Sequence, residues 1–401
     1  MSIMNRREFS YTALSGAAML GIASRASSFA ATADKYDLVI KGGRVIDPAA
    51  RLDAFRDVAI LQGRIAAVGA TVTGPASNTV DAHGKLVVPG LIDIHTHAGR
   101  SAESPSLLLK DGVTGWIDAG TQGADQIGDV VAVARASSLQ GRVLINIGRA
   151  GLLAEGDTMD LARADVSAAR DAIMKNREFI VGVKARLSRD VAGQNDYEVL
   201  RRAQEVAKPF NLPVMIHMGQ TVSPLPKLLA LLKSGDIVTH MFAPPPNSII
   251  DDNGHILPEV LAARARGVWF DVGNGVTGHM RWDTVELIMK QGFLPDTIST
   301  DWNTNSPTTG VIDLPNCMSK LLNYGMSVNQ VVACVTINAS RTFSVFRNRG
   351  TLKLGALADI ALLDLREGSF EYVDNFNNKI TGHQRLFPNG TALAGKWIPR
   401  A

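Results

Sequence analysis

From residue 87 to residue 348, apolar runs alternate with stretches of helical spacing. The runs are "LVVPGLIDIHTH", "GVTGWIDAG", "RVLINIGRAG", "FIVGVKARLS", "LPVMIHMG", "DIVTHMF", "GVWFDVGNG" and "DTISTDW". Each is nearly continuous in apolar residues and then breaks at Gly or a polar residue, as parallel strands covered on both faces do. Segments between them, such as "DVSAARDAIMKNRE" and "YEVLRRAQEVAKPF", place apolar residues at helical spacing. This rhythm predicts an α/β chain folded as a (β/α)8 TIM barrel over residues 87–348. Polar residues recur at nearly every strand's C-terminal end. A barrel collects its site there, which favours it over a doubly wound sheet.

The two flanks have a different texture. Residues 36–70 alternate apolar and polar positions between Gly and Asp-Pro turns, and so do "GTLKLGALADIALLDLREG" and "GTALAGKWIPR" near the other end. Together they predict one small β-sandwich domain built from both termini, residues 34–86 and 349–401. The 401 residues suffice for a large barrel carrying such a domain.

Residues 1–33 stand apart. Arg6-Arg7, with Phe9 two positions on, precede a weakly apolar stretch from Tyr11 to Ala23, and Ala31-Thr32-Ala33 supplies an A-x-A cleavage pattern. The stretch is too short to span a membrane. It reads as a twin-arginine signal peptide and predicts a periplasmic protein, exported folded and metal-loaded. The bland alternative is a basic, disordered N-terminus. Removing it takes Arg6, Arg7, Arg25 and Glu8 with it and leaves 38 basic against 37 acidic residues. So balanced a chain gives no case for nucleic acid or membrane partners. Cys317 and Cys334 sit in apolar, helical contexts, and nothing requires them to pair.

The chemistry gathers at the strand ends. Alternate residues of a strand share a face, so His95 and His97 of "HTH" point the same way. His217 and His240 end two later strands, Lys184 lies within "VKAR" and Asp301 within "STDW". A lone histidine in such a place is more often a hydrogen-bonded core residue. Four at equivalent positions, with a lysine that is costly to bury unless paired or modified, point to metal binding. Imidazole and carboxylate donors suit Zn²⁺ or a similar cation. The glycines of "GRAG" and "GNG" lack the setting of a nucleotide loop.

"VVPGLIDIHTH", the donor order and the terminal β segments resemble the amidohydrolase superfamily over essentially the whole mature chain. The resemblance implies two divalent metal ions and a Lys184 carboxylated by CO₂ whose carbamate bridges them. His95, His97 and Asp301 then hold the more buried metal, and His217 and His240 hold the other. A hydroxide between the metals attacks the substrate, and Asp301 moves its proton to the leaving group. Stretches such as "GVTGWIDAGT", "INIGRAGLLA" and "IVGVKAR" resemble a deacetylase subgroup within the superfamily, like acetyl-(R)-mandelate deacetylase. This implies cleavage of an acyl ester or amide of a small carboxylate-bearing molecule. The alternatives are a cyclic-amide hydrolase, like hydantoinases and dihydroorotases, and a non-catalytic barrel, which normally lacks ligands that this chain keeps. Such barrels are often homo-oligomers.

Two departures stand out. "FDVGNG" carries Asn274 where a histidine is expected, and "WNTNS" follows Asp301. Both segments are expected to line the barrel mouth, with Asn274 among the substrate-binding candidates. Arg186 faces the same side as Lys184 and is a candidate clamp for a substrate carboxylate or a structural ion-pair partner. Arg149 is a weaker candidate of the same kind. His279 is either an exposed loop histidine, which its context favours, or a residue entering the site to compensate for Asn274. His83, His255 and His383 sit in turn-like contexts and receive no role.

Overall fold

The computed structural model describes residues 35–306 and 313–400. The segment read as an export signal lies outside them.

Both chain ends enter one mixed sheet. Its strands are β1 (Tyr36–Asp47), β2 (Leu52–Leu61), β3 (Arg64–Gly69), β4 (Ala76–Asp81), β5 (Leu86–Pro89), β13 (Ile360–Val373), β14 (Lys379–Leu393) and β15 (Lys396–Pro399). The order is β15-β14-β13-β5-β1-β2-β3, with β4 also on β1. The short β5 makes the join. It runs parallel to β1 through Arg44↔Leu86 and antiparallel to β13 through Leu362↔Val87. Hydrogen bonds therefore run without a break from the first strands to the last, giving a single sheet where the sequence suggested a two-sheet sandwich. The terminal sheet runs on through β5 to Pro89, and β6 of the second sheet begins at Leu91.

The second sheet is parallel throughout and follows chain order. It comprises β6 (Leu91–Thr96), β7 (Val113–Ala119), β8 (Gln140–Asn146), β9 (Ile180–Arg186), β10 (Val214–His217), β11 (Ile237–Thr239) and β12 (Trp269–Asp271). Residues 296–302 close it, with Thr297 bridging Asp271 of β12 and Trp302 bridging Thr96 of β6. Such a curled sheet is consistent with a TIM-like barrel. The expected eighth strand is reduced to this closing segment. The Thr297 and Ser299 hydroxyls donate to Asp271 and that of Thr300 donates to Asp93, while Asp301 takes a left-handed φ of 53°. Those contacts tie the ring shut in place of a regular ladder.

Helices form where the spacing indicated, at Val166–Lys175 and Asp196–Ala207. Asp165 caps the first by accepting from the Ala168 N–H. The second buries Val199, Leu200, Ala203, Val206 and Ala207 along one face. Each of its Val and Leu side chains contributes about 1.5–3 kcal/mol. Cys317 and Cys334 are buried free thiols. Among the described residues no helix is long and apolar enough to cross a membrane.

Candidate metal centre

The strand ends bring the six predicted donors to one place. His95 lies in β6 and His97 just beyond it. Lys184 lies in β9, His217 ends β10, His240 follows β11, and Asp301 lies in the closing segment. All six line one cavity of about 600 Å³ at the C-terminal end of the barrel.

Within it the donors form two groups. His95, His97 and Asp301 offer ligand atoms within 4.8 Å of one another, and so do His217, His240 and His279. Asp301 lies between them. Its Oδ1 is 3.3 Å from His95 Nε2 and 3.2 Å from His97 Nε2, and its Oδ2 faces His279 Nε2 at 3.8 Å. Both Asp301 and His240 hold a left-handed backbone, with φ of 53° and 69°. Non-glycine residues adopt that conformation at a cost and concentrate at functional sites.

Outer contacts orient the imidazoles. His240 Nδ1 donates to the Gly273 carbonyl at 2.7 Å. His95 Nδ1 meets Thr239 Oγ1 at 2.9 Å, and that hydroxyl donates to Asp271 at 2.7 Å. His97 Nδ1 meets Thr121 Oγ1 at 2.7 Å, and that hydroxyl donates to Asp118 at 2.8 Å. A hydroxyl whose proton is committed to a carboxylate can only accept from the ring. In all three residues the proton therefore sits on Nδ1, and the Nε2 lone pair is left for a cation.

The electrostatics fit a cation as well. Burial holds His95, His217 and His240 well below the ordinary histidine range and His279 down to about 4, so the imidazoles stay neutral. Desolvation raises Asp301, but the neighbouring imidazoles, His97 foremost, outweigh it and hold the carboxylate below its usual range. Lys184 is 1% exposed, and burial pushes its amine down to about 7. Its Nζ contacts His95 Nε2 at 3.1 Å and Met215 Sδ at 3.4 Å, neither of them a carboxylate. Gly120, at a φ of 87°, makes room for it, since a Cβ there would stand 2.5 Å from Lys184 Cβ. Neutral imidazoles, an ionised carboxylate and a buried amine form a donor set suited to divalent metal ions.

The remaining candidates divide. His279 is not the exposed loop histidine its context favoured. Its side chain is 19% exposed, and its ring stacks on His240 at 3.8 Å between centroids. Asn274 does not reach the cavity. It is buried, accepts from Lys320 Nζ at 2.8 Å and donates to the Gly275 carbonyl at 2.8 Å. Arg186 lines the cavity and forms the structural ion pair, bonding the buried Asp157 at 3.1 Å. Arg149 is a surface residue held by Asp125 at 2.8 Å and Asp165 at 3.4 Å. Two acidic neighbours brought in by other segments turn it away from the site. Arg149→Ala is accordingly expected to leave kcat/KM within about twofold of wild type, the range of ordinary surface substitutions. Steady-state kinetics checks it.

The sequence reading missed Arg100 at the cavity mouth. Its position just past His97 was the available signal. A larger cavity, about 890 Å³, opens beside the strand beginnings at Ile180 and Pro213. It contains none of these donors, so the chemistry belongs to the smaller one.

Ligand-type side chains gathered at the C-terminal ends of parallel strands make this a candidate metal centre in a TIM-like fold. The chain belongs to the amidohydrolase family, whose model matches residues 86–398, and it is a hydrolase of that family. It is 30% identical over 370 residues to a deacetylase of Enterococcus faecalis, covering 90% of this chain and 98% of that one. The crystal structure of an adenine deaminase superposes with a TM-score of 0.82 at 30% identity, covering 91% and 100% of the two chains. That of a dihydroorotase gives 0.81 at 26% identity, covering 91% and 99%.

Proposed function

We propose that the chain is a binuclear metal-dependent hydrolase that cleaves an acyl ester or amide of a small carboxylate-bearing molecule. The observation that carries this reading is the pair of donor groups meeting at Asp301 in one cavity. His95, His97 and Asp301 would hold one ion, His217 and His240 the second, and Lys184, carboxylated by CO₂, would bridge them. Such ions, with Zn²⁺ the best match to the donors, would supply Lewis acidity and an activated water at neutral pH. Asp301 takes the proton of the attacking water and delivers it to the leaving group. Arg186, braced by Asp157, and Arg100 present guanidinium groups at the mouth that suit a substrate carboxylate. The near full-length likeness to a protein named deacetylase supports acyl cleavage, and the likeness to a dihydroorotase structure keeps cyclic-amide opening as the second reading.

The test is a product-resolved screen of N-acyl and O-acyl acids beside hydantoins. Release of a small acid is expected, and ring opening without such release would select the second reading. Chelator treatment should abolish turnover, and Zn²⁺ should restore it. Full activity in protein shown to be metal-free would sink both.

The Arg6-Arg7 signal supports twin-arginine export to the periplasm. Replacing both with lysine should leave the precursor in the cytoplasm. Unchanged delivery of that variant would argue against this route.

A further inference from the structure

Resting on the metal reading above, we infer that His279 is a third imidazole ligand of the second metal, and that Asn375 of the terminal sheet is the residue that positions it. Three observations lead there. The first is the ring's setting. His279 stacks on His240 with an interplanar angle of 19° and stands edge-on to His217 at 4.9 Å between centroids. Its Nε2 faces Asp301, toward the gap between the two donor groups. A site held only by His217 and His240 would depend on Lys184 for its third protein donor. The third imidazole supplies one independently, and three protein ligands beside an open position is the usual catalytic arrangement.

The second is the route by which the ring arrives. His279 belongs to no strand. It hangs from a loop that begins at Gly275, whose φ is 59° and where a Cβ would collide with the His279 ring and stand 2.9 Å from Asp301 Oδ2. The loop thus lays the ring against its own origin, which only glycine permits.

The third is the clamp. The turn between β13 and β14, residues 374–378, meets this loop. Asn375 Oδ1 accepts from the His279 and Met280 N–H groups, each at 2.9 Å, and Asn375 Nδ2 donates to the Gly275 carbonyl at 3.0 Å. One amide therefore ties the loop's start to the residue that carries the imidazole. The Asn375 N–H also donates to the Met280 carbonyl at 3.0 Å. Asp374 accepts from the Trp282 N–H at 3.1 Å and from the N–H groups of Phe376 and Asn378, which fixes the turn itself. The terminal sheet thereby acquires a role at the metal centre.

The experiment measures bound metal by elemental analysis after dialysis against buffered free Zn²⁺, together with the visible absorption of the Co²⁺-loaded protein. Wild type should bind two equivalents. His279→Ala should weaken the second by more than tenfold, leave the first unchanged and alter the Co²⁺ spectrum. His279→Gln, which fills the space, should show the same loss. Asn375→Ala should weaken that equivalent by about 10- to 100-fold, the usual effect of removing a group that orients a ligand. Asn375→Asp keeps the acceptor for the two N–H groups and should recover part of it. Wild-type affinity and spectrum in both His279 variants, with only KM raised, would overturn the inference and assign the ring to substrate. An Asn375→Ala protein that binds both ions as wild type does would overturn the clamp. A wild-type protein that binds no metal would instead refute the metal reading itself.

Discussion

Asp301→Asn is expected to lower kcat by about 10²–10⁴-fold, the usual contribution of general acid–base help, while retaining much of its metal. The carboxylate faces both donor groups, with one oxygen toward His95 and His97 and the other toward His279. Its backbone is pinned in a left-handed conformation by the bond from its N–H to the His95 carbonyl at 2.7 Å. The surrounding imidazoles hold it below the usual carboxylate range, so it enters the reaction charged and able to accept a proton. Asparagine keeps the size and one ligating oxygen but cannot take that proton. The loss should be largest for amides and poorly activated esters, whose leaving groups need protonation, and smallest for esters with good leaving groups. The measurement is kcat across a leaving-group series, with metal content determined for each preparation. A metal-loaded variant as fast as wild type on every substrate would reduce Asp301 to a ligand.

Lys184→Ala is expected to lose essentially all turnover and to regain part of it in the presence of short carboxylic acids. A fully buried ammonium that hydrogen-bonds no carboxylate among the described residues is costly, by several kcal/mol. This one also contacts His95 Nε2 at 3.1 Å, one of the proposed ligands. A carbamate converts the same side chain into an anion, and the neutral amine favoured by burial is the form that adds CO₂. The space is built for the side chain, since Gly120 admits its stem. A small carboxylate entering the vacated space would restore the missing negative charge. Activity with and without formate or acetate tests the rescue, and carbon-13 NMR after labelling with ¹³CO₂ should show a carbamate signal in wild type that the variant lacks. Full activity without that signal would remove the carbamate.

The parallel strands and the six donors at their ends were legible because they depend on local pattern. A strand's period of two places His95 and His97 on one face, and an apolar run that stops at a polar residue marks the strand's C-terminal end. Lys184, His217 and His240 follow the same rule. The weak closing strand was less legible, because it is held by hydroxyl-to-carboxylate bonds that reach from Thr300 to Asp93, 207 residues away. The terminal sheet showed its strands in sequence but not their pairing, which β5 decides by joining both ends of the chain.

Arg149 and Arg186 looked alike, each an arginine at or just past the end of a barrel strand. Their fates differ because Asp125 and Asp165 draw one outward while Asp157 braces the other at the cavity. Asn274 and His279 differ for a similar reason. The amide of Asn274 is claimed by Lys320, and His279 is carried inward by a loop clamped to Asn375, 96 residues further on. The sequence by itself determined the donor chemistry and the strand ends that present it, since both follow from spacing within a few residues. Only the tertiary structure decided which loop side chains join that centre. A loop has no period of its own, and its path is set by the hydrogen bonds that distant segments offer its backbone.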